Sequence, residues 1–448
     1  MDVRNQKFIV FGVSKSGCSV AKYILSVGGN CSVYEELKSD KIAETILELK
    51  ELGAKVLDEY QVYEEIKNCD VVVVSPGVPI NHELLVLAKK SNKRIVGELE
   101  FGFSQFSPLY VAVTGTNGKT TTVNMIGSIL KRFYKNCELV GNVGVPVTEF
   151  LSTGDKHSVY VAEVSSFQLE TVKLFCPHIA CFLNFAPDHL ERHYSVENYL
   201  FLKKRIFSNM SESEYAVLNY DDSSVKKASD EVKCKVVWVS LNEQVEGAYR
   251  FNGDIFFNGE YILSEKDVNV FGEHNLYNLL FAVAVCKILG VPNQMIVDGL
   301  KEFRVMKHRL ELILEQDGVK YFNDSKATNT ASTLTALENM KRPTVLILGG
   351  SEKGENYEIL FNKVKQSFVK FTVLTGASRF NMFDQATKLG CENVILTDKF
   401  ETAVKVAKSL AEYGDNVLLS PACASFDEFK SYEERGDAFK NIVEKSVD

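Results

Sequence analysis

The chain has 448 residues, of which 45% are hydrophobic and 25% charged, and its formal net charge is −8. This is the composition of an ordinary globular protein, long enough for about two to four domains. The acidic balance, without a stripe of Lys and Arg, argues against nucleic acid as a partner. The apolar runs are too short for membrane insertion, and the start, MDVRNQK, is not expected to be a signal peptide.

Ten cysteines are scattered along the chain without a Cys-x-x-Cys pair. Several of them, such as Cys181, Cys286 and Cys423, lie in apolar runs, where a small buried side chain is expected. We therefore expect reduced thiols and a cytoplasmic protein rather than disulfides or a zinc site.

Residues 1–96 alternate short apolar runs with helix-like segments, which predicts a parallel, doubly wound sheet of Rossmann type. The first βα turn, residues 12–17, is where such sheets bind nucleotides. Ser14 stands where the dinucleotide fingerprint has its second glycine. A phosphate or nucleotide-sugar site is therefore favoured, although a dinucleotide site stays open. The turn Ser75-Pro76-Gly77 follows another strand and is expected at the same edge of the sheet.

Residues 110–122, YVAVTGTNGKTTT, combine a strand, a glycine turn and the start of a helix. This arrangement surrounds a phosphate with backbone N–H groups at the positive end of a helix dipole. Lys119 can reach the β- and γ-phosphates, and the Thr120 hydroxyl can bind Mg²⁺. The usual first glycine is replaced by Val113, so only the second half of the general motif is present. The segment predicts a site for a nucleoside triphosphate.

Two polar segments follow strands beside this phosphate loop. Glu163, at the start of EVSSFQLE, has the position of a carboxylate that holds Mg²⁺. His189, in the segment NFAPDHLERH, is a candidate metal ligand or phosphate donor, although a histidine in a loop is more often only solvated. Residues 199–207 are expected to form a helix that carries Lys203 and Lys204 on different faces.

The remaining chain is expected to hold an antiparallel excursion and a third unit. Residues 248–264 alternate in polarity around two Asn-Gly turns, which indicates β-hairpins. From about residue 304, strand-like and helix-like segments alternate again. Polar loops near Asp324, Gly350 and Ser425 each follow an expected parallel strand. Carboxyl ends of parallel strands are where open α/β sheets bind ligands. The expected fold is therefore α/β with three domains, at 1–96, 97–303 and 304–448.

Seven strings across the chain resemble the Mur ligase family, in order and spacing: GTNGKTT, EVSSFQLE, NF–PDH with YLFLKKRIF, HNLYN, HRLE, NDSKATN and SPACASFDEF. The resemblance is strongest to the branch that adds D-glutamate. It implies a UDP-binding Rossmann-like domain, a central P-loop ATPase with a mostly parallel sheet, and a mobile Rossmann-like C-terminal domain. It further implies a monomeric, ATP-dependent amide ligase of peptidoglycan precursor synthesis. Such an enzyme joins D-glutamate to UDP-N-acetylmuramoyl-L-alanine through an acyl phosphate and releases ADP and phosphate.

The resemblance also assigns site residues by position. The catalytic residues it implies are Lys119, His189 and Lys203. The resemblance implies that Thr120 and Glu163 bind one Mg²⁺, and that His189 and a carbamylated Lys203 bind a second. The ATP contacts it implies are Gly115, Thr116, Asn117, Gly118, Lys119, Thr120, Thr121, Asn275, Asn278, Arg309 and Asp324. The UDP-substrate contacts are Lys15, Ser16, Gly77, Asn142, Ser165 and Gln168, and the amino-acid contacts are Thr328, Lys353, Ser425 and Tyr432.

Two positions depart from the family pattern: Glu35–Lys38 replaces an Asp-Thr-Arg-like stretch that touches uridine, and Tyr432 stands where Phe is expected. Three other functions stay open from the residues alone. A remodelling ATPase would explain the phosphate loop but not three loops suited to small ligands. A nicotinamide-dependent oxidoreductase would use the first βα unit, and a neighbouring muramyl or folyl-glutamate ligase would share the motifs.

Overall fold

The protein is described by a computed structural model that covers residues 1–155, 157–268, 272–303, 307–352, 354 and 356–445, without the side chain of Glu191. The chain forms two compact units, Met1–Phe303 and Arg304–Asp448. The first unit contains two sheets and the second contains one. No helix among the described residues is long and apolar enough to cross a membrane.

The first sheet has five parallel strands in the order β3-β2-β1-β4-β5. Its elements are β1 Lys7–Phe11, α1 Lys15–Ser26, β2 Asn30–Tyr34, α2 Asp40–Glu51, β3 Lys55–Val56, α3 Gln61–Asn68, β4 Val71–Val74, α4 Glu83–Lys90, β5 Arg94–Gly97 and α5 Glu98–Gln105. All four valines of β4 are buried, because one hydrophobic cluster packs on each face of the sheet. This is the predicted doubly wound arrangement.

The second sheet has nine strands in the order β14-β13-β12-β11-β10-β9-β6-β8-β7. Its elements are β6 Leu109–Thr114, α6 Lys119–Phe133, β7 Cys137–Gly141, β8 Val159–Glu163, α7 Ser166–Leu169, β9 Ile179–Phe182, α8 Leu190–His193, α9 Val196–Lys204, β10 Tyr215–Asn219, α10 Ser223–Ala228, β11 Lys235–Ser240, β12 Gly247–Phe251, β13 Asp254–Phe257, β14 Glu260–Ser264, α11 Glu273–Ile288 and α12 Asn293–Glu302. Short 3₁₀ turns lie at Val147–Phe150, Arg205–Phe207, Ser229–Glu231 and Glu265–Asp267.

The predicted antiparallel excursion is confirmed. Strands β12, β13 and β14 form two hairpins, whereas β6 to β11 pair in parallel. Asn252 and Asn258 have φ angles of 52° and 47° at the hairpin turns. Each asparagine is followed by a glycine that also has positive φ, which is the two-residue turn that suits the twist of a hairpin.

The second unit has six strands in the order β15-β16-β20-β17-β18-β19, all parallel except the pair β15 and β16. Its elements are β15 Glu311–Gln316, β16 Val319–Asn323, α13 Thr330–Asn339, β17 Thr344–Gly349, α14 Glu358–Gln366, β18 Val369–Thr375, α15 Arg379–Lys388, β19 Val394–Leu396, α16 Phe400–Leu410, β20 Asn416–Leu419 and α17 Tyr432–Lys445. Hydrophobic clusters cover both faces.

The predicted α/β architecture is confirmed, and most expected strands lie within one or two residues of their predicted positions. Four strands were not predicted: β5, β7 and β15, each at the edge of its sheet, and β11, which lies between β12 and β10 in the second sheet. Edge strands contact the sheet along one side only, so their sequences are more mixed in polarity. The pattern of β15, ELILEQ, shows this, because most of its residues are only half-buried.

Candidate active site

The phosphate loop joins β6 to α6, and β6 lies between β9 and β8 in the second sheet. Gly118 is the N-cap of α6 and has a φ of 83°, a left-handed conformation that favours glycine. The Lys119 Nζ donates to the carbonyl oxygens of Gly115 and Thr116, both at 2.8 Å. The ammonium group therefore lies over the loop, at the positive end of the helix, where a phosphate would be held.

Asn184, which follows β9, fixes the loop from the neighbouring strand. Its Oδ1 accepts the Asn117 N–H at 2.9 Å, and its Nδ2 donates to the Asn117 carbonyl at 3.1 Å. Its own carbonyl accepts the Thr116 N–H at 3.1 Å. Asn184 was not predicted as a site residue, although it begins the segment that contains His189. The available signal was a polar residue directly after a strand that pairs with the strand of the phosphate loop.

Asn275 and Asn278, which the resemblance implies as ATP contacts, are buried on α11. The Thr122 hydroxyl donates to Asn278 Oδ1 at 3.0 Å, and Asn278 Nδ2 donates to Asn275 Oδ1 at 3.2 Å. A Cβ placed on Gly118 would lie 2.4 Å from the same Asn278 oxygen. Asn278 therefore packs from α11 against the start of α6 and stabilises it.

Glu163 ends β8, in register with Val113 of β6 and Gly141 of β7. The Asn142 Nδ2 donates to Glu163 Oε1 at 2.9 Å, so this predicted UDP-substrate residue lies against the predicted metal ligand. The other carboxylate oxygen, Oε2, is buried and has no hydrogen-bond partner. A buried carboxylate oxygen without a partner is costly, and a bound cation would satisfy it. Glu163 and Thr120, in the first turn of α6, therefore fit a Mg²⁺ site.

Lys203 lies on α9, and its side chain is 1% exposed. Its Nζ donates to the Gly115 carbonyl at 2.7 Å and lies 4.6 Å from the centre of the Tyr199 ring. Burial, with a smaller contribution from the charge of Lys119, holds the pKa of Lys203 well below its usual value. A neutral amine is the form that reacts with CO₂, so this environment fits a carbamylated lysine. Lys204 instead pairs with Glu231 on the outer surface, as its predicted opposite face requires.

His189 is the N-cap of α8 and has a left-handed conformation, with a φ of 51°. Its side chain is 44% exposed, and its Nε2 lies 3.6 Å from Asp188 Oδ2. Its ring lies 5.1 Å from that of Phe167. Within the described part of the chain, no group of three or more His, Cys, Asp or Glu side chains is arranged to hold a metal by itself. A metal at His189 would therefore need oxygen ligands from other sources, such as phosphates.

The loops of the first sheet approach the second sheet within the same unit. Lys15 Nζ, at the start of α1, donates to the Gly144 carbonyl, and Ser16 follows in the first turn. Ser165 and Gln168 form a capping box on α7, with the Gln168 Oε1 accepting the Ser165 N–H at 3.0 Å. Gly77 contributes its carbonyl oxygen to Arg192 at 3.3 Å.

Glu35, in the stretch that departs from the family pattern, has a structural role. Its Oε2 accepts the Val13 N–H at 2.8 Å, and its Oε1 accepts the N–H groups of Glu36 and Leu37, each at 2.9 Å. The carboxylate thus fixes the first βα turn from the stretch after β2, which is where the resemblance expects uridine contacts. This structural role of Glu35 was not predicted.

In the second unit, the three polar loops follow the adjacent parallel strands β16, β20 and β17, so they lie at one edge as predicted. Asp324 follows β16 and is buried. It accepts the Ser420 hydroxyl at 2.8 Å and the Leu310 N–H at 3.1 Å. Burial raises the pKa of Asp324 to about 7, although these hydrogen bonds and the charge of Arg309 oppose the shift. Arg309 has a buried Nε without a hydrogen-bond partner.

The predicted amino-acid residues lie in or near these loops, except Lys353, which is outside the described residues. Thr328 follows the Asp324 loop, and Ser425 is buried in the loop after β20. Tyr432 begins α17, and its carbonyl accepts the Ser325 hydroxyl at 2.8 Å. The Lys326 ammonium lies 5.6 Å from the Tyr432 ring.

Arg435, which the sequence analysis did not select, ties two of the loops together. This buried side chain donates to the Ser325 hydroxyl and to the Cys423 carbonyl, both at 3.0 Å. Burial lowers the pKa of Arg435 to about 10. An arginine on an amphipathic terminal helix gives no sequence signal of such a role.

Three family profiles match consecutive parts of the chain. The Mur ligase MurD-like N-terminal domain matches residues 6–97, the Mur ligase middle domain matches 113–286, and the Mur ligase glutamate ligase domain matches 308–423. The chain belongs to the Mur ligase family. This membership rules out the remodelling ATPase and the oxidoreductase that the residues alone left open.

Curated relatives in the Mur ligase family align along nearly the whole length. A protein of Clostridioides difficile (strain 630) is 37% identical over 450 residues, which is 99% of each chain. A protein of Pelotomaculum thermopropionicum is 39% identical, over 99% of this chain and 98% of its own. Both bear the name UDP-N-acetylmuramoylalanine–D-glutamate ligase.

Solved Mur ligase structures share the fold. The UDP-N-acetylmuramate-alanine ligase MurC of Thermotoga maritima has a TM-score of 0.58 at 18% identity, covering 99% of this chain and 100% of its own. MurF of Acinetobacter baumannii has a TM-score of 0.59 at 16% identity, covering 92% and 91%. At these identities, the similarity shows the three-domain fold alone.

Within the first unit, the Mur ligase fold brings together the residues predicted for phosphate and metal binding. Lys119 and Lys203 share the Gly115 carbonyl, and Asn142 contacts Glu163. The division between the first two domains, at residue 96, stays a prediction, because both sheets belong to one compact unit.

Proposed function

We propose that the chain is an ATP-dependent ligase that joins D-glutamate to UDP-N-acetylmuramoyl-L-alanine in peptidoglycan precursor synthesis. The observation that carries the proposal is the full-length similarity to relatives that bear this name, at identities of 36% to 39%. The phosphate loop, with Lys119 over it, supports ATP as the source of energy.

In the first step, a carboxylate oxygen of the L-alanyl group attacks the γ-phosphorus of ATP. The bond from that phosphorus to the β–γ bridging oxygen breaks, so ADP leaves and an acyl phosphate forms. The reaction brings an anion to a polyanion, and donors that are already in place lower its barrier. Lys119 and the N–H groups in the first turn of α6, which have no partner within the helix, supply these donors. Asn184 and Asn278 hold that loop in shape.

In the second step, the D-glutamate amine attacks the acyl carbon, phosphate leaves, and the amine loses a proton as the amide bond forms. We assign the incoming amino acid to the loops of the second unit, through Thr328, Lys353, Ser425 and Tyr432. The arrangement of these loops on adjacent parallel strands, together with the unpartnered Nε of Arg309, supports a ligand site at this edge. We assign Arg309 and Asp324 to ATP.

The metal requirement is also a proposal. Glu163 and Thr120 would hold one Mg²⁺, and His189 with a carbamylated Lys203 would hold a second. When bound, the ions neutralise charge on the transferring phosphoryl group. The unpartnered oxygen of Glu163 supports the first assignment. The buried, weakly basic Lys203 supports the second, because a neutral amine captures CO₂.

We further propose that the enzyme works as a cytoplasmic monomer. All ten cysteines are free thiols, which agrees with a reducing environment. Gel filtration with light scattering tests the monomer, since a dimer would double the mass of 50.2 kDa.

Phosphate release tests the proposed function. Purified protein is incubated with ATP, Mg²⁺, UDP-N-acetylmuramoyl-L-alanine and one member at a time of a panel of D- and L-amino acids. Released phosphate is measured, and the products are identified by mass spectrometry. We expect release with D-glutamate, together with the matching amide product. Release with another amino acid, or ATP hydrolysis without the UDP-linked acceptor, would contradict the proposal. ¹³C-bicarbonate labelling, read by NMR in wild type and in Lys203→Arg, tests the carbamate without an activity measurement.

A further inference from the structure

We propose that Arg192 is a positioning residue that fixes the first-sheet loop, residues 75–78, against the ATP-binding part of the same unit, and thereby sets the affinity for the UDP-linked substrate. The inference rests on the proposed function for the identity of that substrate. Arg192 belongs to none of the sites assigned above.

The side chain of Arg192 joins the two sheets of the first unit. Its guanidinium donates to the Val78 carbonyl at 3.0 Å, to the Gly77 carbonyl at 3.3 Å and to the Pro76 carbonyl at 3.4 Å. These three carbonyls belong to consecutive residues of the first-sheet loop. A planar fork of donors can bind such a row, whereas a lysine ammonium provides one point of charge.

The other side of the guanidinium is held by Glu170, the last residue of the motif EVSSFQLE. Nε donates to Glu170 Oε1 at 3.2 Å, and NH2 donates to Glu170 Oε2 at 2.7 Å, which is a bidentate pair. The two side chains are only 14% and 8% exposed, so solvent screens this pair weakly. The guanidinium also lies 5.0 Å from the centre of the Phe167 ring. These contacts fix the orientation of the guanidinium independently of its hydrogen bonds to the first-sheet loop.

Arg192 is also tied to the residues proposed for catalysis. It lies on α8, which begins immediately after His189. The next residue, His193, is buried, contacts the Ser166 hydroxyl at 3.0 Å and stacks on the Tyr199 ring. The Tyr199 ring in turn contacts the Lys203 ammonium. The residue next to Arg192 is therefore linked to Lys203 through Tyr199.

A second contact joins the same segments. The Asn81 Nδ2, a few residues after the first-sheet loop, donates to the Tyr194 hydroxyl at 2.7 Å. The segment after His189 therefore holds the segment after β4 at two points. Gly77, the predicted substrate contact, is one of the residues at the first point. If Arg192 is removed, the loop loses its anchor at the residues that would meet the UDP-linked substrate.

The test compares Arg192→Gln with a matched control, Arg205→Gln. Arg205 is also half-buried and donates to two backbone carbonyls, those of Glu170 and Val172, but no hydrogen bond joins it to the first-sheet loop. Glu170→Gln is a second variant, which keeps Arg192 but weakens its orientation. The measurements are KM for UDP-N-acetylmuramoyl-L-alanine, KM for ATP, and the calorimetric Kd of the UDP-linked substrate without nucleotide. Circular dichroism checks folding.

We expect Arg192→Gln to raise KM and Kd for the UDP-linked substrate by roughly tenfold or more, because several charge-assisted hydrogen bonds are lost. KM for ATP should change by less than about threefold. Expressed as a free energy, a threefold change is less than half of the tenfold change expected for the UDP-linked substrate. Glu170→Gln should shift the same constants in the same direction by a smaller factor. Arg205→Gln should lose stability while its KM for the UDP-linked substrate stays near wild type.

An unchanged KM and Kd in folded Arg192→Gln, or an equal rise in both KM values, would overturn the inference. An equal rise of KM in Arg205→Gln would do the same, since a general loss of stability would then explain the effect. If Arg192→Gln does not fold, Glu170→Gln decides by the same criteria. Wild-type protein without ligase activity on these substrates would instead contradict the proposed function, so the two failures are distinguishable.

Discussion

Replacement of Gly118 by alanine tests how the phosphate loop is supported. The change has two separable costs. A residue with a Cβ at a φ of 83° costs about 1 kcal/mol. The new Cβ would also lie 2.4 Å from Asn278 Oδ1, so that side chain must move and give up the hydrogen bond from Thr122. Both partners are buried, and this second cost is about 1–3 kcal/mol.

The chain offers a matched control in Gly259. Its φ is 84°, and a Cβ there would have no atom within 4 Å. Gly259→Ala should therefore cost only the backbone part, about 1 kcal/mol, whereas Gly118→Ala should cost about 2–4 kcal/mol. The difference between the two variants is the cost of displacing Asn278.

Urea unfolding followed by tryptophan fluorescence provides the measurement. The chain has one tryptophan, Trp238 on β11, and it lies in the same compact unit as both glycines. In an Asn278→Ala background the excess cost of Gly118→Ala should disappear, because the clashing oxygen is gone. Equal free energies of unfolding for the two single variants would refute the reasoning, and so would an excess cost that persists without Asn278.

Three further predictions concern single side chains. Lys119→Ala should reduce ATP turnover by roughly 10²-fold or more at an unchanged unfolding midpoint, because a cation over the phosphate loop is lost; near-normal phosphate release would count against its role. Lys203→Ala should abolish activity, and added formate or acetate should partly restore it by replacing the carbamate; a concentration series without any recovery would argue against carbamylation. Burial raises the pKa of Glu98 to about 7 from an ordinary 4.5, so the folded protein keeps a proton that the unfolded chain releases. Glu98 should therefore lower the free energy of unfolding by roughly 3 kcal/mol as pH rises from 4.5 to above 7, and Glu98→Gln should reduce the pH slope in urea titrations by that amount; an identical slope in the variant would contradict it.

The sequence by itself determined the elements with strong local patterns. The strand, glycine turn and helix around Gly118 could be predicted, because each of these conformations depends on residues that are neighbours in sequence. The hairpins of β12 to β14 were visible because two Asn-Gly pairs specify their turns. The placement of the polar loops near Asp324, Gly350 and Ser425 at one edge followed from topology, since carboxyl ends of parallel strands lie together.

The tertiary structure alone decided which side chains support those loops. Asn184 contacts Asn117 across 67 positions of the chain, and Asn278 contacts Thr122 across 156. Neither pair has a local pattern, because such contacts depend on how strands and helices pack. The same holds for Arg192, whose row of carbonyl partners lies in another sheet. The low pKa of Lys203 is also a tertiary property, since burial of the amine and its distance from Lys119 arise only when α9 packs against the phosphate loop.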